Sequence, residues 1–267
     1  MVDITNKESF EYKIIHDQCK HKLDWLMANY YNGVNKKKGE KYKDPEQYNL
    51  RLQEDIRKAP NILNDKDEVI HRKNWDIEGI CGVSKEHLHH KHFDYMSQYF
   101  IDNYKPKSKT LVLFKCTTSR PYSHYIKKYM EICKDKADIC VLSAPGIIPI
   151  EYDNHYPYRY YDWDTSLETP EILEEYKNVL YNKLKTFLDK FKYEKIVCCI
   201  RPSKFFDVCK KLESEGYPIQ FIYNDKLVQS YKDRGMWDGL IQMRFMNLIG
   251  TKEALKEAMN YHKPKGS

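Results

Sequence analysis

The sequence lacks the signatures of several large protein classes. It contains neither the G-x-x-x-x-G-K-[ST] phosphate loop nor the G-x-G-x-x-G fingerprint, so nothing indicates a P-loop nucleotidase or a Rossmann enzyme. No stretch approaches the ~18 apolar residues of a membrane-spanning helix. The N-terminal sequence MVDITNKESF also lacks the apolar core of a signal peptide. We therefore expect a soluble, cytoplasmic protein with no membrane association.

A disulfide framework and a zinc site are both disfavoured. Eight cysteines are present, but none forms a C-x-x-C pair, and Cys198 and Cys199 fall in an apolar run typical of a strand. This pattern indicates a reducing compartment. The histidines of HLHHKH (87–92), with Cys81 nearby, match no zinc-ligand spacing. We predict no metal and no cofactor.

Tyrosine, by contrast, is abundant, with 23 in 267 residues, and the formal net charge is +6. Tyrosine offers a stacking face and a hydroxyl that suit nucleobases, and mild basicity permits a nucleic-acid partner. A composition rich in Lys, Asn, Tyr and Ile also arises from an AT-rich genome, so composition alone leaves both explanations open.

The pattern of apolar residues changes near residue 108. Residues 1–107 show helical spacing, with helices expected at 10–26, 45–58 and 86–104, and form a predicted helical N-terminal region. Residues 108–267 alternate strands with helices. Strands are predicted at 110–115, 138–142, 195–200 and 219–223, and helices at 123–134, 168–191, 202–215 and most of 225–262. The predicted fold class is α/β, a three-layer αβα domain with a four-stranded, mostly parallel sheet.

A parallel sheet would bring four loop segments to one edge. They are 115–124, 143–162, 201–207 and 223–226. The second, SAPGIIPIEYDNHYPYRYYD, is too rich in turn-forming residues for a helix and unusually aromatic for a solvated loop. Ligand sites of open α/β sheets lie at this edge, so we predict a functional loop there.

That loop carries the candidates for acid–base chemistry. Breaking an N-glycosidic bond requires a carboxylate near the sugar, and Glu151, Asp153 and His155 are the predicted catalytic residues. The alternative is that these are surface charges that only satisfy turns.

Contacts to a base or phosphate are predicted in the same segments. Backbone amides before a helix and a strand-end arginine both suit anions. The predicted contacts are Cys116, Thr117, Arg120, Tyr122, Ser143, Tyr156, Arg201 and Ser203. Alternatively, Cys116 and Tyr122 only pack in the core and Arg201 forms a surface ion pair.

Two motifs connect these residues to a known family. The pattern S-x-x-G-x-x-P-x-E…Y-P-x-x-x-Y-D is carried by Ser143, Gly146, Pro149, Glu151, Tyr156, Pro157, Tyr161 and Asp162. Cys116, Pro121 and Tyr122 fit P-C-x-x-x-K-P-Y, with Lys115 and Arg120 in place of its proline and lysine. Together they resemble the core domain of archaeosine synthase, which attaches lysine to a deazaguanine base in tRNA. The resemblance implies a base-handling α/β domain.

A weaker similarity concerns the uracil-DNA glycosylase superfamily. Pro121-Tyr122 and Arg201-Pro202-Ser203 are similar to its D-P-Y and H-P-S turns, which flank a flipped base. That similarity implies that Glu151 supplies the carboxylate.

The leading functional hypothesis is a DNA glycosylase that excises a modified base and leaves an abasic site, an activity suited to antiviral defence. The alternative is a tRNA-modifying transferase that adds lysine to a 7-deazaguanine base. A third is a nucleic-acid-binding module without catalysis. The expected partner is nucleic acid, with DNA favoured over tRNA, and the sequence does not indicate an oligomeric state.

Overall fold

The computed structural model describes residues 83–117, 121–153, 157–158, 161, 163 and 165–260. The helices expected at 10–26 and 45–58 lie outside these residues. The division of the chain at residues 107 and 108 remains a prediction.

The described strands form one five-stranded sheet. They are β1 (Thr110–Lys115), β2 (Asp138–Ser143), β3 (Gly146–Pro149), β4 (Lys195–Cys198) and β5 (Ile219–Phe221). The order across the sheet is β3-β2-β1-β4-β5. All neighbouring pairs are parallel except β2 and β3. The predicted α/β class and the four parallel strands are confirmed.

The strand β3 was not predicted, because it lies inside the segment expected to be a loop. After a turn at Ala144 and Pro145, the apolar run Gly-Ile-Ile-Pro pairs with the outer edge of β2, and all four of its residues are buried. A four-residue run bounded by prolines is too short for its periodicity to show in the sequence.

Helices precede and connect the strands. They are α1 (Lys85–Leu88), α2 (Lys91–Asn103), α3 (Tyr122–Cys133), α4 (Pro170–Phe191), α5 (Lys204–Ser214), α6 (Asp225–Lys232), α7 (Asp238–Arg244) and α8 (Ile249–Asn260). Short 3-10 turns occupy Ile150–Tyr152, Thr165–Leu167 and Phe245–Asn247. None of these described helices combines the length and apolarity needed to cross a bilayer.

The single helix predicted at 86–104 is interrupted. Ser84 accepts a hydrogen bond from the His87 amide, and His90 accepts one from the His92 amide. Each of α1 and α2 therefore has its own N-cap, which the continuous apolar spacing did not reveal.

The connections cover both faces of the sheet. From β1 the chain crosses through α3 to β2 on one side, and from β4 it crosses through α5 to β5 on the other. Right-handed crossovers place α3 and α5 on opposite faces. Helix α4 packs with both α5 and α2, and α8 packs with α3. The predicted three layers are confirmed, and the direction of strand addition reverses between β1 and β4.

The turn into β3 requires glycine. Gly146 has φ +112°, and a Cβ atom there would lie 2.8 Å from Cδ of Lys183 on α4. The Lys183 amine donates to the carbonyl of Pro145 at 3.3 Å and pairs with Asp94 of α2 at 2.7 Å. Two helices thus fix this edge of the sheet.

Candidate functional site

Open α/β sheets form a crevice at the carboxyl edge where the strand order reverses, and in this sheet the reversal lies between β1 and β4. We call the ends of these two strands, residues 115–117 and 199–204, the switch-point crevice. The strands are in register as far as Leu113 and Cys198, and the Cys199 amide donates to the Leu113 carbonyl at 2.9 Å. Ligands of open α/β sheets bind at such a reversal.

Positive charge collects in the switch-point crevice. Lys115 ends β1, and Arg201 follows β4 on the neighbouring strand. Burial lowers the pKa of the Lys115 ammonium, and the positive charge of Arg201 lowers it further. Partial burial raises the pKa of Tyr125, an effect that the charge of Arg201 opposes. The Tyr125 side chain, on α3, is 44% exposed.

A buried ion pair forms one wall. Lys204, the first residue of α5, pairs with Glu168, and each side chain is only 10% exposed. Glu168 also accepts from Nε1 of Trp163 at 2.6 Å. The Lys204 amine lies 3.7 Å from the ring centre of Tyr176. Burial raises the pKa of Tyr176 well above 10, and the neighbouring Cys116 acts in the same direction.

Beside the crevice, at the end of β2, three hydroxyl groups meet. The hydroxyls of Tyr122 and Ser143 lie 3.4 Å apart, and the Tyr161 hydroxyl hydrogen-bonds with both. All three side chains are 1% exposed. We call Tyr122, Ser143 and Tyr161 the hydroxyl cluster. It joins the start of α3, the end of β2 and the part of the chain that follows the 3-10 turn at Ile150–Tyr152.

Asp153 is buried beside this cluster, and its catalytic role remains a prediction. It is 3% exposed, and its Oδ2 accepts from the Ser123 amide at 2.6 Å. A carboxylate at this position caps the first turn of α3 and complements the helix dipole. It thereby fixes the neighbouring Tyr122.

Glu151 lies away from the switch-point crevice. Because β3 runs antiparallel to β2, the chain leaves the carboxyl edge at Gly146 and is level with Cys140 by Pro149. Glu151 then pairs with Lys107 at 3.1 Å, and the Lys107 amide donates to Asp138 at the opposite end of β2. The structure does not bring Glu151 together with Arg201, and its catalytic role remains a prediction.

The other predicted contacts divide into two groups. Cys116 and Thr117 lie in the crevice and are partly exposed. Ser203 precedes α5, and its hydroxyl donates to the carbonyl of Arg201 at 3.0 Å. The remaining predicted residues, Arg120, His155 and Tyr156, lie outside the described residues.

The histidine-rich segment makes ordinary polar contacts. His89 hydrogen-bonds with Glu175 of α4 at 2.7 Å, and His90 caps α2. Within the described part of the chain, no three or more His, Cys, Asp or Glu residues are grouped so as to hold a metal ion.

Several residues of the site were not among the contacts predicted from the sequence. Lys115, Tyr125, Glu168 and Lys204 line or border the crevice. Tyr125 could have been found, because it follows Tyr122 by one helical turn. The partnership of Glu168 and Lys204 joins residues 36 positions apart and had no local signal.

Another concave surface lies near the amino edge of the sheet. It has a volume of about 320 Å³ and is lined by Lys185, Asp189, Glu215 and Tyr217, among others. These polar groups pair with one another: Tyr217 donates to Asp189, and Lys185 contacts Glu215 at 3.6 Å. Their mutual pairing makes this surface a weaker candidate than the switch-point crevice.

Known proteins match the part of the chain that builds this site. The family model described as "Domain of unknown function (DUF5591)" matches residues 94–233, just over half of the chain. Archaeosine synthase of Haloferax volcanii is 25% identical over 108 residues, which cover 39% of this chain and 18% of that protein. The crystal structure of AF0587, a protein of unknown function, is similar over 63% of this chain and 51% of that chain, with a TM-score of 0.44 and 18% identity.

Proposed function

The chain belongs to the DUF5591 family, and from that premise we propose that its α/β domain binds a nucleobase of tRNA in the switch-point crevice and serves a base-modifying enzyme. The matched relative is named archaeosine synthase. The chain spans less than a fifth of that relative's length, so the activity of the whole relative is part of the proposal. The resemblance would make the base a 7-deazaguanine and the added group lysine.

The hydroxyl cluster is the main observation that supports this proposal. Tyr122, Ser143 and Tyr161 belong to the two motifs that resemble archaeosine synthase, and they come from three separate segments. They hydrogen-bond with one another at the carboxyl edge, next to the crevice. These three motif residues therefore form a single hydrogen-bonded group in the structure.

The chemistry of the crevice suits a base. Proteins recognise unpaired RNA bases by stacking them on aromatic rings or guanidinium planes and by hydrogen-bonding their edges. Tyr125 offers an exposed ring close to Arg201. We assign stacking to Tyr125 and Arg201.

The DNA glycosylase hypothesis gains no support from the comparisons. It also assigned the missing carboxylate to Glu151, which pairs with Lys107 away from the crevice. DNA is therefore included in the test below as a competing substrate.

The test combines binding with analysis of modified nucleosides. Purified protein should bind tRNA more tightly than DNA of equal length. Tyr125→Ala and Arg201→Ala should each weaken tRNA binding about tenfold, since one base stack contributes roughly 1–3 kcal/mol. Arg234→Ala, on an exposed arginine of the turn after α6, is the matched control. Mass spectrometry should find a tRNA nucleoside that disappears from cells lacking the gene.

Two results would overturn the proposal. One is an unchanged set of tRNA nucleosides together with equal affinity for RNA and DNA. The other is release of a modified base from DNA with formation of abasic sites, which would restore the glycosylase hypothesis.

A further inference from the structure

Two positive charges in the switch-point crevice have no acidic partner among the described residues. Lys115 and Arg201 are both partly buried, and among the described residues no carboxylate lies within ion-pairing distance of either. Several partly buried lysines elsewhere have a carboxylate partner. Lys183, for example, pairs with Asp94, and Lys204 pairs with Glu168. Lys115 and Arg201 differ from these paired lysines in this respect.

The sheet holds these two charges together. Lys115 lies two residues beyond Leu113, whose register partner is Cys198, and Arg201 follows three residues after Cys198. The ladder continues past both strand ends, because the Cys116 amide donates to Leu142 and the Cys199 amide donates to Leu113. These backbone hydrogen bonds therefore hold both strand ends in place close to Lys115 and Arg201. Two like charges on adjacent, rigid strand ends repel each other unless an anion lies near them.

The N-terminus of α5 also lies in the switch-point crevice. This helix has 11 residues, and its N-cap residue, Ser203, makes no side-chain hydrogen bond to the first turn. The Ser203 hydroxyl instead donates to the carbonyl of Arg201. The backbone amides of the first turn are therefore available beside Arg201, with the positive end of the helix dipole behind them.

We propose that Lys115, Arg201 and the first turn of α5 form an oxyanion subsite that takes a phosphate group. A planar guanidinium, an ammonium and helix amides together match the charge and the hydrogen-bonding capacity of a tetrahedral phosphate. The subsite deepens the proposed function, on which it rests only for the source of the phosphate: the backbone of the tRNA whose base enters the crevice. A small-molecule carboxylate offers related oxyanion chemistry, and the experiment separates the two.

Inorganic phosphate, titrated into the full chain by calorimetry, tests the subsite directly. Lys115→Met and Arg201→Gln should each weaken phosphate binding by about tenfold or more, the effect of one charge-assisted hydrogen bond. The matched controls are Lys256→Met on α8 and Arg234→Gln, whose side chains are exposed and lie outside the crevice. Equal weakening by the controls would show only surface attraction and would overturn the inference.

A second measurement covers variants that fail to fold. Lys115 of the unaltered chain should react with an amine acylating reagent, identified by peptide mass spectrometry, and phosphate should protect it. Lys256 should react to the same extent with and without phosphate. Unprotected Lys115 would contradict the subsite.

Acetate and tRNA identify the source of the oxyanion. A phosphate subsite predicts that phosphate and tRNA protect Lys115 and that acetate at equal concentration does not. Protection by acetate alone would replace the phosphate assignment with a carboxylate. Phosphate protection without tRNA binding would leave the subsite standing and refute the proposed function. The reverse result, tRNA binding unaffected by Lys115→Met, would refute the subsite alone.

Discussion

Replacing Glu168 by glutamine tests the ion pair that forms one wall of the switch-point crevice. The side chains of Glu168 and Lys204 are each 10% exposed, and Trp163 donates to the same carboxylate. Glutamine preserves the shape and the acceptor for Trp163 but removes the negative charge. Lys204 then keeps a charge in a nearly buried position without a counter-ion.

The expected loss of stability follows from two opposing contributions. Removing one partner of a buried ion pair costs about 3–5 kcal/mol. The ring of Tyr176, 3.7 Å from the amine, still interacts with the charge, a contribution of about 1 kcal/mol. We therefore expect Glu168→Gln to lower the free energy of unfolding by about 2–4 kcal/mol. For a domain of this size the midpoint of thermal unfolding should fall by about 4–16 °C.

Urea and thermal unfolding of three variants provide the assay. Lys204→Met alone should also destabilise the protein, because it leaves the Glu168 carboxylate buried. The double variant should recover most of the loss, since no unpaired charge remains. Glu174→Gln, on an exposed position of α4, is the control. The reasoning fails if Glu168→Gln behaves like Glu174→Gln, or if the double variant loses the sum of the single losses.

Three further predictions concern the surroundings of the site. Tyr161→Phe removes one of three mutually bonded hydroxyls and should cost about 1–2 kcal/mol in urea unfolding, whereas Tyr181→Phe, whose hydroxyl bonds to Glu215 near the surface, should cost less. Asp153→Ala removes the cap of α3 and should cost about 1 kcal/mol; no change would show that the cap is dispensable. Stability should fall as pH rises above about 9. Burial raises the pKa of the Cys133 thiol from 9.0 to about 12 and that of the Tyr158 phenol well above 10.0. The unfolded chain therefore loses these protons first, and urea midpoints at about pH 7.5 and 10.5 should differ.

The parallel strands and their helices were predictable because their signals are local. The run TLVLFK, for example, is apolar from Leu111 to Phe114, as expected for a strand covered on both faces, and the predicted and observed bounds of β1 coincide. Thr169-Pro170 likewise marks the start of α4, where Thr169 accepts from the Ile172 amide. A parallel sheet places the loops that follow its strands at one edge, so their convergence could also be predicted.

The position of Glu151 could not be predicted, because it depends on pairing between segments. Read as a loop, residues 143–162 stay at the carboxyl edge and bring Glu151 to the ligand. The antiparallel strand β3 carries the chain away from that edge, and its four residues leave no periodic signal. The ion pair between Glu168 and Lys204 could not be predicted either. In the sequence, each residue alone is typical of a protein surface.

The contact between Gly146 and Lys183 has a consequence for how this family can vary. Any side chain at position 146 would collide with the stem of Lys183, and the φ of +112° would strain it even if that stem were shortened. Shortening Lys183 would in turn leave Asp94 without its cation. Relatives that retain β3 should therefore keep glycine at this position through long divergence, while position 183 changes only together with position 94. An alignment of the family can show whether these two positions change in concert.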